Sequence, residues 1–294
     1  MTEGRGILQS LAFHEPRSVE QAVALLEEYG GDAKVVAGAT ALTILLRNRL
    51  IAPRALVSLG RVQDGLRTIR EEDGVLVLGA LVTHREVERS PLVRQGIPVL
   101  AETFAMVANV RVRNVATVGG VVAEADYASD PPAVLLALDA EIEVQGPRGA
   151  RRIPVAKFFL GFLETALARD EVVTAVRVPV PPAGTRGAYE KFVTRSSEDR
   201  PCVGVVALAR FDGRRCVDLR VAVGAASETP RRYPEIEALG RSTTLRGDVV
   251  PTIAAGYASA TDALDDMRGS SWYRKAIIEV WVRRAIERAA SEPR

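Results

Sequence analysis

Apolar residues recur along the chain in a helical rhythm of three and four and in short, strand-like runs. Leu11, Ala12 and Phe13 predict a brief strand, after which Pro16 and Ser18 open a helix whose Val19, Ala22, Val23 and Leu26 share one face. Ser18 and Gln21 are spaced as a capping box, and Gly30-Gly31 stops the helix. Lys34-Val35-Val36-Ala37 reads as a buried strand leading to a corner at Gly38-Ala39-Thr40, followed by a helix over 42–50 and a strand over 55–59. Near Gly60 the first unit is expected to end.

Strand patterns over 66–69 and 75–78 flank the turn Glu71-Glu72-Asp73-Gly74. Helices are predicted over 97–108 and 131–138, the second with Asp130 at its N-cap. Runs at 140–144 and 151–153 form a hairpin about Gly146-Pro147-Arg148-Gly149, and Pro179, Pro181, Pro182, Gly184 and Gly187 mark a linker. Beyond it, strands over 203–211 and 216–223 meet at Asp212-Gly213. A helix over 252–263 comes next, and Ile277, Ile278, Trp281, Val282, Ala285 and Ala289 stripe a final helix.

At 294 residues, 47% of them hydrophobic, the chain suits two domains with ample cores. A net charge of +2 argues against a nucleic-acid partner recognised through a strong basic field. Cys202 and Cys216 are too few for a secreted disulfide framework, and with His14 and His84 they form no iron–sulfur or zinc cluster. Metal redox chemistry is therefore expected on another chain. Without a signal-peptide pattern or a long apolar run, a soluble cytoplasmic protein is expected.

The unusual residues concentrate in 109–130, NVRVRNVATVGGVVAEADYASD, which runs from basic through glycine-containing to acidic. Such a segment suits a loop around a phosphate-containing cofactor. Gly119-Gly120 could turn backbone N–H groups toward an anion beside the Thr117 hydroxyl, with the acidic residues left for ribose or flavin hydroxyls. A tight turn between strands is the plainer reading of a glycine pair alone. Asp130 could serve as cap, cofactor contact or both.

Arg113-Asn114-Val115-Ala116-Thr117-Val118-Gly119-Gly120, with Ala125-Asp126 and Ser129-Asp130, resembles the RNxATIGG…ADxxSD signature of the FAD-binding subunit of molybdenum hydroxylases. That family includes the carbon monoxide dehydrogenase medium subunit and the flavin segment of xanthine dehydrogenase. VVAGATAL is similar to the family's AGGTDL pyrophosphate loop, with Ala39 in place of the second glycine and Ala41 in place of the acidic residue. Further similarities lie at GALVTH (79–84), FFLG (158–161), EVV (171–173), YEKF (189–192) and DMRGSSWYR (266–274). His84 alone is more often a helix-start or hydrogen-bonded structural histidine than a catalytic base.

The resemblance implies an α+β fold, a p-cresol methylhydroxylase-like FAD-binding domain over 1–182 (subdomains about 1–60 and 61–182) and a smaller α+β flavoprotein domain over 183–294. No G-x-G-x-x-G occurs, so a Rossmann site is not its basis. It implies cofactor contacts at Val35, Val36, Ala37, Gly38, Ala39, Thr40, Ala41 and Leu42, and at Thr117, Gly119 and Gly120. Val121 stands where Asn is usual, Glu124 and Asp130 where cofactor hydroxyls are met, and Val173 where an apolar residue packs by the flavin. Lys191 stands where a lysine reaches toward the flavin, although it could equally be a solvated strand lysine.

The implied activity is electron transfer through FAD from an iron–sulfur subunit to an external acceptor. The molybdenum cofactor and [2Fe-2S] clusters are implied on partner chains, in a heterohexamer. Alternatives are a stand-alone FAD oxidoreductase of the same fold, for which no acid/base set is evident, and a flavin-free structural subunit, suggested by Ala39, Ala41 and Val121.

Overall fold

The computed structural model describes residues 11–291. Strand β1 (Ala12–His14), helix α1 (Val19–Tyr29), β2 (Ala33–Val36), helix α2 (Leu42–Arg47) and β3 (Ala55–Ser58) build a small parallel sheet in the order β1-β3-β2. The periodic face of α1 is buried as its spacing requires. Ser18 caps it by accepting from the Gln21 N–H (3.2 Å), but the box is not reciprocal, because the Gln21 side chain accepts from the Arg17 N–H at 2.8 Å. Helix α2 stops at Arg47 instead of residue 50, and Arg49 turns left-handed (φ 56°), which an α-helix cannot accommodate.

Strands β4 (Ile69–Glu72) and β5 (Val75–Gly79) lead into a helical stretch. It comprises α3 (His84–Arg89), α4 (Pro91–Gly96), α5 (Pro98–Ala105), α6 (Val110–Arg113), α7 (Val118–Glu124) and α8 (Pro131–Ala137). Then come β6 (Glu141–Gly146), β7 (Gly149–Pro154), α9 (Val155–Phe158), β8 (Phe159–Gly161), β9 (Glu164–Thr165) and β10 (Val172–Pro179). An antiparallel sheet β4-β5-β10-β6-β7 forms, and Leu76, Leu78, Ile142 and Val176 pack in one core with Leu100, Phe104, Val134 and Leu135. The helix expected over 97–108 breaks at Ala105: Ala108 is left-handed (φ 43°), and Asn109 caps a new helix by accepting from the Val112 N–H.

After residues 180–184 the chain forms β11 (Thr185–Phe192), β12 (Val203–Asp212) and β13 (Arg215–Gly224), then α10 (Pro234–Glu237), α11 (Val249–Ala260) and α12 (Ser271–Ala290). The antiparallel sheet β11-β12-β13 shares a core with Ile253, Tyr257, Ile278, Val282 and Ala285 of the last two helices. Helix α11 begins three residues before the expected 252 because its first turn accepts Pro251, whose missing N–H costs nothing there. Trp281 is an edge-to-face partner of Phe192 at 4.8 Å, and α5 and α8 contact the same three-stranded sheet.

Candidate functional site

The corner after β2 is where backbone donors are left over. Val35 and Val36 pair with Val57 and Ser58, and Ala37 packs against the small-sheet core. A Cβ on Gly38 would overlap the Val115 carbonyl oxygen and come within 3.1 Å of the Ala116 Cα, so only glycine lets this corner lie on the 109–130 segment. Ala39 is left-handed (φ 55°), and its carbonyl accepts from the Thr43 N–H at 3.0 Å. Thr40 is exposed; Ala41 and Leu42 are half-buried at the start of α2. Among the described residues, none of the N–H groups from Gly38 through Leu42 finds an acceptor. A left-handed residue amid consecutive unpaired donors is a concave anion cradle.

The second segment folds differently from the expected loop. It forms α6 and α7, and Thr117 is the N-cap of α7, accepting from the Gly120 N–H at 3.1 Å. The Val118 N–H donates to Val82 O (2.9 Å), and the Gly119 N–H to Ala80 O (2.8 Å). The glycine pair is thus no nest of free donors, and neither glycine has positive φ. Its role is space: a Cβ on Gly119 would lie 2.7 Å from the Ala80 Cβ, and one on Gly120 would lie 2.8 Å from Thr117 Oγ1. Beneath the turn, His84 begins α3, stacks edge-on to Phe104 and places Nε2 3.3 Å from Thr117 O. Burial, with the Arg113 charge behind it, outweighs that bond and depresses the imidazole pKa to about 4.

The acidic residues meet basic partners from the last 110 or so residues, on the far side of the 180–184 connection. Asp130 makes no side-chain cap; its carboxylate accepts from Tyr189 OH (2.6 Å) and Lys191 Nζ (3.1 Å), while Lys191 also donates to Met106 O at 2.8 Å. The Asp130 and Lys191 side chains are 4% and 2% exposed, so Lys191 is not a solvated strand lysine. Burial pushes the Asp130 carboxyl upward against the pull of Lys191 and Tyr189, and drives the Tyr189 phenol well above its ordinary value. Glu124 (3.3 Å) and Asp126 both pair with Arg200. Val121 in α7 and Val173 in β10 are buried in the main core.

Tyr189 and Asp266 lie in the YEKF and DMRGSSWYR stretches, but their partners do not follow from those motifs, and Arg200 was not singled out, because a lone arginine carries no spacing signal. Asp266 accepts from Tyr127 OH and from Arg274 (2.5 Å), a fully buried arginine. Burial pushes the Asp266 carboxyl up, but the hydrogen bonds from Tyr127, the Arg268 N–H and Arg274 prevail and hold it at about 2.

Residues 9–181 match the family model described as the FAD binding domain in molybdopterin dehydrogenase, and residues 188–289 match the CO dehydrogenase flavoprotein C-terminal domain. The carbon monoxide dehydrogenase medium chain of Hydrogenophaga pseudoflava is 34% identical over 94% of this chain and 96% of that one. The chain belongs to the FAD-binding flavoprotein family of molybdenum hydroxylases. The nicotine 6-hydroxylase medium subunit of Paenarthrobacter nicotinovorans is 32% identical, covering 97% of this chain and 99% of that subunit. A solved structure of the Hydrogenophaga pseudoflava enzyme, lacking the Mo-pyranopterin moiety, superposes with a TM-score of 0.92 at 34% identity over 95% of this chain and 96% of that one.

Membership in this flavoprotein family makes the chain an FAD-binding subunit of an oxidoreductase, and the unpaired donors of Gly38–Leu42 fit the pyrophosphate of that cofactor. Among the described residues no helix is long and apolar enough to cross a membrane, and no His, Cys, Asp and Glu group is placed to hold a metal ion.

Proposed function

We propose that this chain carries electrons from an iron–sulfur subunit, itself fed by a molybdenum-containing subunit, to an external acceptor, and that it works within a heterohexamer. The observation that carries the reading is the run of unpaired N–H groups from Gly38 through Leu42, held against Val115 and Ala116 by the bare Cα of Gly38. Val35–Leu42 would hold the pyrophosphate, with Thr117, Gly119, Gly120 and Val121 forming the opposite wall. Bound flavin supplies the redox chemistry.

The remaining residues of the proposed site orient and insulate. Lys191 is buried with its Nζ held by the Asp130 carboxylate and the Met106 carbonyl, and Tyr189 braces Asp130 in turn. Val173 contributes apolar packing and Glu124 a carboxylate near the end of α7. We assign residues 1–182 to cofactor binding, as subdomains of about 1–60 and 61–182, and residues 183–294 to the flavoprotein C-terminal domain. A cytoplasmic setting is supported by two cysteines that are buried and unbridged.

Relatives of similar identity bear the names of carbon monoxide and nicotine enzymes, so substrate choice is assigned to the molybdenum-bearing partner. The test is the visible absorption of the purified chain before and after FAD addition and gel filtration. Retained oxidised-flavin absorption is expected; a colourless protein after reconstitution would overturn cofactor binding, and turnover without any iron or molybdenum partner would overturn the subunit role.

A further inference from the structure

The loop between β11 and β12 crosses to the cofactor segment at two points. The Arg200 guanidinium lies between Glu124 (3.3 Å) and Asp126, and Asn109 Nδ2 donates to Glu198 Oε2 at 3.3 Å. The bonded positions 109, 124 and 126 enclose Thr117–Gly120. Within the clasp, Asp126 is also engaged locally, accepting from the Ala128 N–H at 2.8 Å, so its carboxylate is oriented before Arg200 reaches it.

Helix α7 needs such a partner. Its N-terminal turn is anchored by Thr117, Val82 O and Ala80 O, whereas its C-terminal residue Ala125 is left-handed (φ 49°) and its N–H makes no capping bond among the described residues. At 1.5 Å per residue the helix is about 10 Å long, so a swing at Glu124 is transmitted to the turn at its other end. A guanidinium paired with Glu124, the last residue of α7, also suits the negative end of the helix.

We propose that Arg200 is a positioning residue for the cofactor: through Glu124 and Asp126 it fixes the free end of α7 and thereby the Thr117–Gly120 wall of the FAD site. The proposal rests on FAD binding by this chain. It makes the C-terminal domain part of the cofactor site without contact with the cofactor, and it assigns Glu124 to the clasp.

The test is a double-mutant cycle read by FAD titration of the full-length apoprotein, following quenching of flavin fluorescence. Arg200→Gln is expected to raise the FAD dissociation constant about fivefold, the low end of couplings between sites. Because an exposed ion pair contributes little to global stability, the apoprotein melting temperature should stay within about 2 °C of native. Glu124→Gln should weaken FAD in the same direction, and the double variant should be no weaker than Arg200→Gln alone; Arg200→Lys should recover part of the loss.

Native-like FAD affinity in Arg200→Gln overturns the clasp, as does additivity in the cycle, which would mean that Glu124 meets the cofactor independently. A fall in apoprotein melting temperature that accounts for the whole affinity loss also overturns it. If the native chain takes up no FAD, the cofactor reading itself falls, an outcome distinct from native binding that the variants leave unchanged.

Discussion

The two stretches of the proposed cofactor site, 37–42 and 117–120, resemble one another as small-residue turns but use their backbones in opposite ways. In the first, an alanine holds a left-handed conformation and the donors that follow it are unpaired among the described residues. In the second, glycines sit in ordinary helical conformation and their donors are consumed by Thr117 Oγ1 and Ala80 O. Glycines mark close approach in both, at Gly38 and at Gly119, while the left-handed residue beside the unpaired donors is an alanine. What the pair teaches is that the donor inventory, rather than glycine content, is what separates the two turns.

The largest expected effect probes how the second stretch is supported. His84 holds the Thr117 carbonyl from a buried position, and its imidazole titrates at about 4 against an ordinary 6.5. Between those values the unfolded chain binds the extra proton, so stability conferred by neutral His84 is complete above pH 6.5, falls as pH drops, and levels off below about 4. The total is about 3 kcal/mol. Urea unfolding of native protein and His84→Phe at pH 7, 5 and 4 should show the difference between them shifting in favour of the variant by that order on acidification. A pH-independent difference would mean that the imidazole is not held neutral by burial.

Gly119→Ala separates close packing from conformational freedom by sign. An alanine inside a helix ordinarily gains about 0.5–1 kcal/mol over glycine, and φ here is not an obstacle. The new methyl would nevertheless meet the Ala80 Cβ at 2.7 Å and its carbonyl oxygen at 2.9 Å. Overpacking of that kind should reverse the gain to a net loss of about 2 kcal/mol in denaturant unfolding. A stabilised variant would show that the 80–82 turn yields and that the pair was never a packing device.

Much of the frame was legible because burial imposes a period. Val19, Ala22, Val23 and Leu26, the turn at Asp73-Gly74 and the hairpin at Asp212-Gly213 all follow from spacing or turn chemistry. The shortened α2 and divided α5–α6 were not legible, since Arg49 and Ala108 adopt left-handed conformations that their residue types do not announce. The same holds for the acidic end of the cofactor segment. Glu124, Asp126 and Asp130 offer carboxylates to any partner, and only the tertiary fold brings Arg200 and Lys191 to them from more than 60 residues away in sequence. Residue type can nominate a contact; it cannot say which of two partners arrives.

The smallest expected effect addresses the first stretch, where Ala39 departs from the glycine of the family loop it resembles. A left-handed L-residue costs roughly 1–2 kcal/mol over the right-handed form, and glycine returns part of that through the greater entropy of its unfolded state. Ala39→Gly should therefore stabilise the apoprotein by about 1 kcal/mol in urea unfolding, and it should hold or raise FAD affinity because the cradle conformation is then adopted without strain. A loss of stability would instead mean that the Ala39 methyl is a packing contact. The contrast with Gly119→Ala is then complete, because the same pair of residue types exchanged in opposite directions is expected to move stability down in the stretch whose donors are paired and up in the stretch whose donors are unpaired among the described residues.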